Sequence, residues 1–408
     1  MGEASAIPER DPVADWAVDF DHFAGPFVND PHAINDDLRS RCPVAHTDRY
    51  GGVVVPTTFA DVAAAAHDTD TFTSRRIIIS ETSTDRRGVI LPPINLDPPH
   101  HTDPRRAMLP YFNPTNTRKW ESTIRDICDR RLSALEGRTE CDLAADYAKH
   151  VPGDLTAAMF GVSATEADQF REWIHDLLEV GPTDLEVERE ATNKMLAYMY
   201  GLIADRRENG GDDLVTYLFD QQVDGQPMSD DDMAKMLFLL LLAGIDTTWS
   251  ALGHSFLHLA SCDEDRRRLV AEPELIPMAT EEFLRAFAPV YVGRIATTDS
   301  SVGECPVSKG EWVLLNFPAA NRDPEVFERP DEVIIDRAKN RHAAFGLGVH
   351  RCLGSNLARL EMNIAIEMLL DRFPEFTLVA DAEVGYSAGN VRGPRSVPVQ
   401  LAGSSQQT

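Results

Sequence analysis

Apolar and polar positions recur at helical spacing through the middle of the chain, from about residue 100 to 290. Segments such as DQFREWIHDLLEV and NKMLAYMYGLIADRRENGG have the period of amphipathic helices. Shorter apolar runs bounded by turn residues, such as YGGVVVPT and SVPVQL, predict strands. The pattern therefore predicts a fold that is mainly α with a minor β portion. We expect a single domain over residues 15–401, with flexible ends at 1–14 and 402–408.

The longest predicted helix begins at Ser229, which can serve as an N-cap because the acids at 230–232 follow it in the first turn. The helical pattern continues to about Ala260, a length of roughly 45 Å at the rise of an α-helix. It is apolar on nearly all sides through Ile245, so we expect it to be buried. The polar residues at 246–248 then fall in the buried middle, where a carboxylate is costly unless it has a role.

The composition indicates a folded protein, since 43% of its 408 residues are hydrophobic. The apolar run at 236–245 is too short to cross a membrane, and the acidic start is unlike a signal peptide. The formal net charge of −27 makes nucleic acid a poor partner, because phosphate binding needs Lys and Arg. The six cysteines form no CxxC pair, which argues against disulfides and structural zinc and favours a cytoplasmic location.

One cysteine stands in unusual surroundings, in the segment FGLGVHRCLG at 345–354. Cys352 precedes a predicted helix, where free backbone N–H groups favour the thiolate that ligates metals. Gly348 and Gly354 would let the backbone pass close to a bulky planar ligand. The segment is therefore a candidate metal or cofactor site.

FGLGVHRCLG resembles the heme-binding loop of the cytochrome P-450 family, with Phe345, Gly348, Cys352 and Gly354 at the fixed positions. The resemblance extends over about 15–401 and is closest in kind to the soluble bacterial members. It implies the cytochrome P-450 fold, with heme b between the long I helix and the helix that follows the cysteine loop. It also implies that Cys352 is the thiolate ligand of the heme iron, a ligand that favours O–O cleavage.

Two further segments match motifs of this family. In EEFLR, Glu282 and Arg285 match the ExxR pair, whose role in the family is structural, with Arg337 as a candidate third member. In AGIDTT at 243–248, a threonine hydroxyl can bond the carbonyl four residues earlier and make room for a ligand beside Gly244. The resemblance makes Asp246 and Thr247 the acid and alcohol that deliver protons for oxygen activation.

Further positions correspond to family contacts with the heme and the substrate. The resemblance assigns the heme propionates to four cationic side chains, His101, Arg105, Arg294 and His350, while Phe345 and Gly348 also border the cofactor. The predicted substrate pocket is apolar except for one amide, and consists of Ile90, Leu239, Leu242, Ala243, Val290, Val292, Asn390 and Val391. This set favours a small hydrophobic substrate.

The resemblance therefore implies a cytoplasmic, monomeric heme-thiolate monooxygenase. It would use dioxygen and electrons from an iron-sulfur ferredoxin with its reductase. Arginines in or near the heme-binding segments would form the ferredoxin surface, namely Arg105, Arg106, Arg341, Arg351 and Arg359. Two alternatives are a peroxide-driven peroxygenase and a heme-thiolate sensor without turnover. The acid–alcohol pair argues against both, since neither needs a proton relay to dioxygen.

Overall fold

The computed structural model of the protein describes residues 11–82 and 88–401. Of the ends predicted to be flexible, 1–10 and 402–408 lie outside the described residues. The α-helices are α1 (Gly25–Asn29), α2 (Pro31–Arg41), α3 (Phe59–His67), α4 (Thr102–Met108), α5 (Pro114–Thr117), α6 (Glu121–Ser133), α7 (His150–Met159), α8 (Glu166–His175), α9 (Leu185–Asn209), α10 (Leu214–Phe219), α11 (Asp230–Ser261), α12 (Asp263–Ala271), α13 (Ile276–Ala286), α14 (Phe317–Ala320) and α15 (Ser355–Arg372). The β-strands are β1 (Val44–Thr47), β2 (Val53–Pro56), β3 (Phe72–Thr73), β4 (Glu140–Asp142), β5 (Gln222–Val223), β6 (Gln226–Pro227), β7 (Val292–Ala296), β8 (Ser300–Val302), β9 (Cys305–Val307), β10 (Trp312–Leu315), β11 (Phe376–Leu378) and β12 (Pro398–Leu401).

Helix α11 is the central element, and its start is the predicted one. The Ser229 side chain accepts a hydrogen bond from the Asp232 N–H, which caps the first turn. The helix packs against α7, α9 and α15, so its apolar sides are covered by other helices. It is long and apolar enough to cross a membrane, but 67% of its most apolar window is buried inside the fold. That burial is what the sequence predicted for a core helix.

Five of the strands form one sheet, with the strand order β1–β2–β10–β7–β3. Strands β2 and β10 pair in parallel, which joins residue 53 to residue 312, and the other pairs are antiparallel. Both faces of β2 are buried: Val53 and Val55 pack into one apolar cluster, and Val54 packs into another. A central strand covered on both faces explains the uninterrupted apolar run VVVP. The prediction of mainly α with minor β structure is confirmed.

A buried ion cluster attaches α13 to the segment that leads toward the cysteine loop. Glu282 and Arg285 form two hydrogen bonds of 2.8 and 2.9 Å with no side-chain exposure, as the EEFLR spacing predicted. Arg337 Nε donates to Glu282 at 2.9 Å, so the predicted third member is in place. The Glu282 carboxylate also accepts hydrogen bonds from the N–H of Ile334 and the side-chain amide of Asn340. Arg285 also donates to the backbone carbonyls of Asn321, Pro330 and Glu332. The cluster therefore holds a loop that has little regular structure of its own.

We expect Glu282→Gln to lower the free energy of unfolding by about 3–5 kcal/mol, because it leaves two buried guanidinium groups without their carboxylate. Urea unfolding followed by circular dichroism measures this change. Glu332→Gln is the matched control, since the ion pair of Glu332 with Arg329 has the same spacing but is exposed. The control should lose less than about 1 kcal/mol, and an equal loss in both variants would contradict a structural role for the cluster.

Candidate active site

The cysteine loop is a tight backbone structure that ends at the first turn of α15. The Cys352 N–H donates to the Phe345 carbonyl at 2.7 Å, which closes the loop. Gly348 has a φ of +68°, and a Cβ there would lie 2.6 Å from the carbonyl oxygen of Ala66 on α3. From the sequence alone, this glycine was expected to allow the approach of a planar ligand. The structure instead explains it by the left-handed turn and the contact with α3.

Cys352 lines a cavity between the loop, α11 and α15. Burial raises the pKa of its thiol, while the N–H of Gly354 and three nearby arginines, at positions 105, 351 and 359, act in the opposite direction. The N–H at the start of α15 therefore acts in the direction expected from the sequence, and burial of the sulfur opposes it. Binding to a metal cation is what would ionise this thiol.

The predicted propionate-binding residues come together at one edge of this cavity. Arg105, Arg294 and His350 line it, and the buried ring of His101 packs against His350 at a centroid distance of 4.5 Å. Burial lowers the pKa of Arg294 to about 10, and burial with the charge of Arg294 lowers the pKa of His350 to about 3. Burial and mutual repulsion favour the neutral forms of such basic groups, unless anions bind close to them.

The contacts of these side chains fit the propionates of a heme. His101 Nε2 is buried without a hydrogen-bond partner, and the Arg294 guanidinium donates to the neighbouring carbonyl of Gly293 at 2.9 Å. His350 Nε2 lies 2.9 Å from the Ser74 hydroxyl. Two carboxylates would supply the missing anions, and Cys352 would supply the iron ligand.

Helix α11 contributes a second wall of the cavity through Gly244, Thr247 and Thr248. The Thr247 hydroxyl donates to the Ala243 carbonyl at 2.7 Å, which is the backbone bond predicted from the sequence. A Cβ at Gly244 would meet only Thr156 Oγ1, at 3.6 Å, so the protein leaves the cavity side of this turn open. The hydroxyl is therefore placed at the cavity surface.

Asp246 points away from the cavity, into a buried ionic network. Arg395 donates to Asp246 at 2.7 Å, to Glu179 at 2.9 Å and to the Ser250 hydroxyl at 3.2 Å. Glu179, just after α8, is 3.6 Å from His175. Burial raises the pKa of Asp246 and the charge of Arg395 lowers it, and the second oxygen, Oδ2, has no hydrogen-bond partner. The acid is thus held by Arg395 and is separate from the lining of the cavity.

The predicted substrate positions are placed around the cavity with one exception. The lining includes Leu239, Leu242, Ala243, Val290, Val292, Asn390 and Val391. Ile90 lies outside the lining, next to the residues at 83–87 that the structure does not describe. Apolar residues from distant segments complete the wall, among them Ile77, Leu155, Met159 and Leu178. The cavity is therefore predominantly apolar, as the sequence predicted.

Two charged residues near the site were missed in the sequence. Arg395 belongs to the segment GPRSVPVQL, which predicts only a strand, so its contact with Asp246 has no sequence signal. Glu361 on α15 lines the cavity, and burial raises its pKa well above the usual range. Glu361 is nine residues after Cys352, on the helix that follows it, and this spacing could have indicated that Glu361 lies near the site.

The arginines predicted to form the ferredoxin surface differ in their contacts. Arg359 forms two hydrogen bonds with Glu281, at 2.5 and 2.8 Å, and its guanidinium covers the ring of Phe345. Arg105 lines the cavity and donates to the carbonyl of Arg351. Arg359 and Arg105 are therefore partly buried and engaged in contacts within the protein, whereas Arg106, whose side chain is 70% exposed, lies at the surface with residues 341 and 351.

Comparison with known proteins agrees with this geometry. The chain matches the family model of cytochrome P450 over residues 50–381. It is 37% identical over 292 residues to cytochrome P450 107B1 of Saccharopolyspora erythraea, covering 71% of this chain and 72% of that protein. It is 34% identical over 371 residues to the steroid C26-monooxygenase of Mycolicibacterium smegmatis, covering 89% of this chain and 90% of that protein. The solved structure of cytochrome P450 PksS from Bacillus subtilis 168 has a TM-score of 0.85 at 29% identity, covering 93% and 98% of the two chains.

The matched region contains the cysteine loop, the buried ion cluster on α13 and the walls of the cavity except Asn390 and Val391. The neighbouring structures also share the arrangement of helices and the small sheet. We conclude that the chain belongs to the cytochrome P450 family and is a monooxygenase whose cofactor is heme b.

Proposed function

We propose that this enzyme hydroxylates a small hydrophobic molecule with dioxygen and electrons from a ferredoxin. The observation that carries the proposal is that one apolar cavity has Cys352 on one wall and the Thr247 hydroxyl on another. Bound heme supplies a thiolate-ligated iron that activates oxygen. The chain supplies the iron ligand, the counter-charges for the propionates, the walls that bind the substrate and the groups that move protons.

The proton route is proposed to run from Asp246 to Thr247. In the structure the Thr247 hydroxyl donates to Ala243, so its oxygen remains available to accept a hydrogen bond. Asp246 is adjacent in sequence, but Arg395 holds one of its oxygens. For Asp246 to pass a proton toward the cavity, its side chain must exchange Arg395 for Thr247 or a water molecule. Proton supply therefore depends on an ion pair that opens during turnover.

Electron delivery is proposed to occur at the surface next to the cysteine loop. Arg106, Arg341 and Arg351 are exposed there, and two exposed apolar side chains, Leu109 and Val349, lie beside them in the chain. A positive patch on a protein with a net charge of −27 would attract an acidic ferredoxin to this face. We further propose that the enzyme is a cytoplasmic monomer.

We expect Cys352→Ser to abolish the long-wavelength absorption band of the reduced, carbon-monoxide-bound protein. Serine keeps the size of the side chain but removes the sulfur that donates electron density to the iron. The control is Cys305→Ser, because Cys305 lies in β9 away from the cavity. If the band persists in Cys352→Ser, Cys352 is not the iron ligand.

We expect Thr247→Ala to leave heme content and substrate binding nearly unchanged and to lower the product formed per reductant consumed by about tenfold or more. The lost hydroxyl should divert electrons to peroxide, because it orders protons at the cavity. Thr247→Ser is the matched control, since it keeps the hydroxyl. An unchanged ratio in Thr247→Ala would mean that this threonine only shapes the helix. Product formed from hydrogen peroxide alone, at equal rates in both variants, would favour the peroxygenase alternative.

We expect electron transfer from an acidic ferredoxin to slow as ionic strength rises, since exposed charges are screened beyond about 8 Å at physiological salt. Arg106→Glu should raise the apparent KM for ferredoxin about tenfold at low salt and less at high salt. The control is Lys194→Glu, which makes the same charge change on α9, away from the cysteine loop. Equal effects of the two variants, or no dependence on salt, would exclude this docking surface.

A further inference from the structure

A mixed cluster of possible metal ligands lies at the junction of α11 and α12, outside the active site. His258, Cys262 and Asp265 each offer one ligand atom, and these three atoms lie within 4.8 Å of one another. His258 Nε2 and Asp265 Oδ2 are 2.7 Å apart. All three residues are partly buried, so they form a shallow site and not a group of freely exposed side chains.

The backbone fixes these side chains in place. The Cys262 N–H donates to the His258 carbonyl at 2.8 Å, and the Arg266 N–H donates to the Cys262 carbonyl at 3.1 Å. Cys262 thus ends α11 and begins α12, which folds Asp265 back toward the last turn of α11. The imidazole of His258 packs against Phe283 and Phe287 at centroid distances of 5.4 and 5.8 Å. Little side-chain freedom would be lost on binding a ligand.

The donor set is the one that zinc prefers, an imidazole nitrogen, a thiolate sulfur and a carboxylate oxygen. Bond lengths of about 2.0–2.3 Å in a tetrahedral site place neighbouring donor atoms about 3.4 Å apart. The observed atoms lie between 2.7 Å and 4.8 Å, so small side-chain rotations would suffice. The lack of a CxxC pair argues against a zinc site built from paired cysteines, but it does not exclude a site built from one cysteine with two other ligand types.

The local charges also suit a divalent cation. A thiolate and a carboxylate together would neutralise its two positive charges. The neighbouring arginine, Arg266, is engaged elsewhere, with Asp263 at 2.7 Å and Glu375 at 3.1 Å. Glu264 adds a further exposed acid in the same turn.

We propose that His258, Cys262 and Asp265 bind one zinc ion, with water in the fourth position. The ion would join the end of α11 to the start of α12. Metal binding would release the thiol proton, because zinc binds the thiolate. The site is distinct from the heme cavity, since none of the three ligands lines that cavity.

The test is equilibrium dialysis of the heme-loaded enzyme against zinc chloride, with bound zinc and heme iron measured by mass spectrometry. We expect one zinc ion per chain, and an affinity at least about 100-fold lower in Cys262→Ser and in Asp265→Asn. Cys262→Ser should fold normally, because serine is a good N-cap for α12, and heme absorbance checks this. Cys305→Ser is the matched control and should bind zinc like the wild type.

A second measurement reports on the sulfur directly. Zinc should slow the alkylation of Cys262 by iodoacetamide, followed by peptide mass spectrometry, and should leave the alkylation of Cys305 unchanged. Zinc that binds with the same affinity in Cys262→Ser, or that does not protect Cys262, would be an adventitious ion only and would overturn the proposal. The absence of bound zinc at micromolar concentrations would overturn it as well.

Discussion

A charge that leaves water must be met by an opposite charge or by several hydrogen bonds, and the organisation of this enzyme follows from that constraint. The carboxylate of Glu282 accepts hydrogen bonds from two arginines, from the Ile334 N–H and from the Asn340 amide, which holds the loop before the cysteine. The carboxylate of Asp246 is met by Arg395. In the part of the chain that the structure describes, the arginine and histidine side chains at the edge of the cavity form no ion pair with an acid, and heme carboxylates fit that deficit. The cofactor therefore completes the electrostatics of the fold.

Much of the architecture could be predicted because its signals are local. The cap at Ser229, the buried helix after it and the Glu282–Arg285 pair depend on residues a few positions apart. The contacts that could not be predicted join distant segments: Arg395 is 149 residues from Asp246, and Arg359 is 78 residues from Glu281. Which of many arginines meets which acid is decided by tertiary packing, and no periodicity in the sequence reports it. The same reasoning explains why the contact of Arg359 with Glu281 was not predicted.

In the structure Asp246, the acid of the proposed proton route, is held by Arg395. Its partner Arg395 is also bound by Glu179, just after α8, and Glu179 lies near the half-exposed His175. A movement of the segment that contains Glu179 would therefore change the ion pair between Arg395 and Asp246. Substrate that packs against Leu178 in the cavity wall would contact the same segment. The cavity wall and the ion pair of Asp246 are thus joined by contiguous contacts.

In the C-terminal segment, residues that line the cavity are close in the chain to the arginine that holds Asp246. This closeness affects how the enzyme can be evolved in the laboratory. Asn390 and Val391 line the cavity, while Arg395 holds Asp246. A mutation at 390 or 391 chosen to admit a new molecule would also shift the backbone that positions Arg395. Effects of mutations at neighbouring, connected positions are not additive. Selectivity and efficient use of electrons should therefore show epistasis in this segment, so libraries here are best varied jointly with position 395 and scored on both properties.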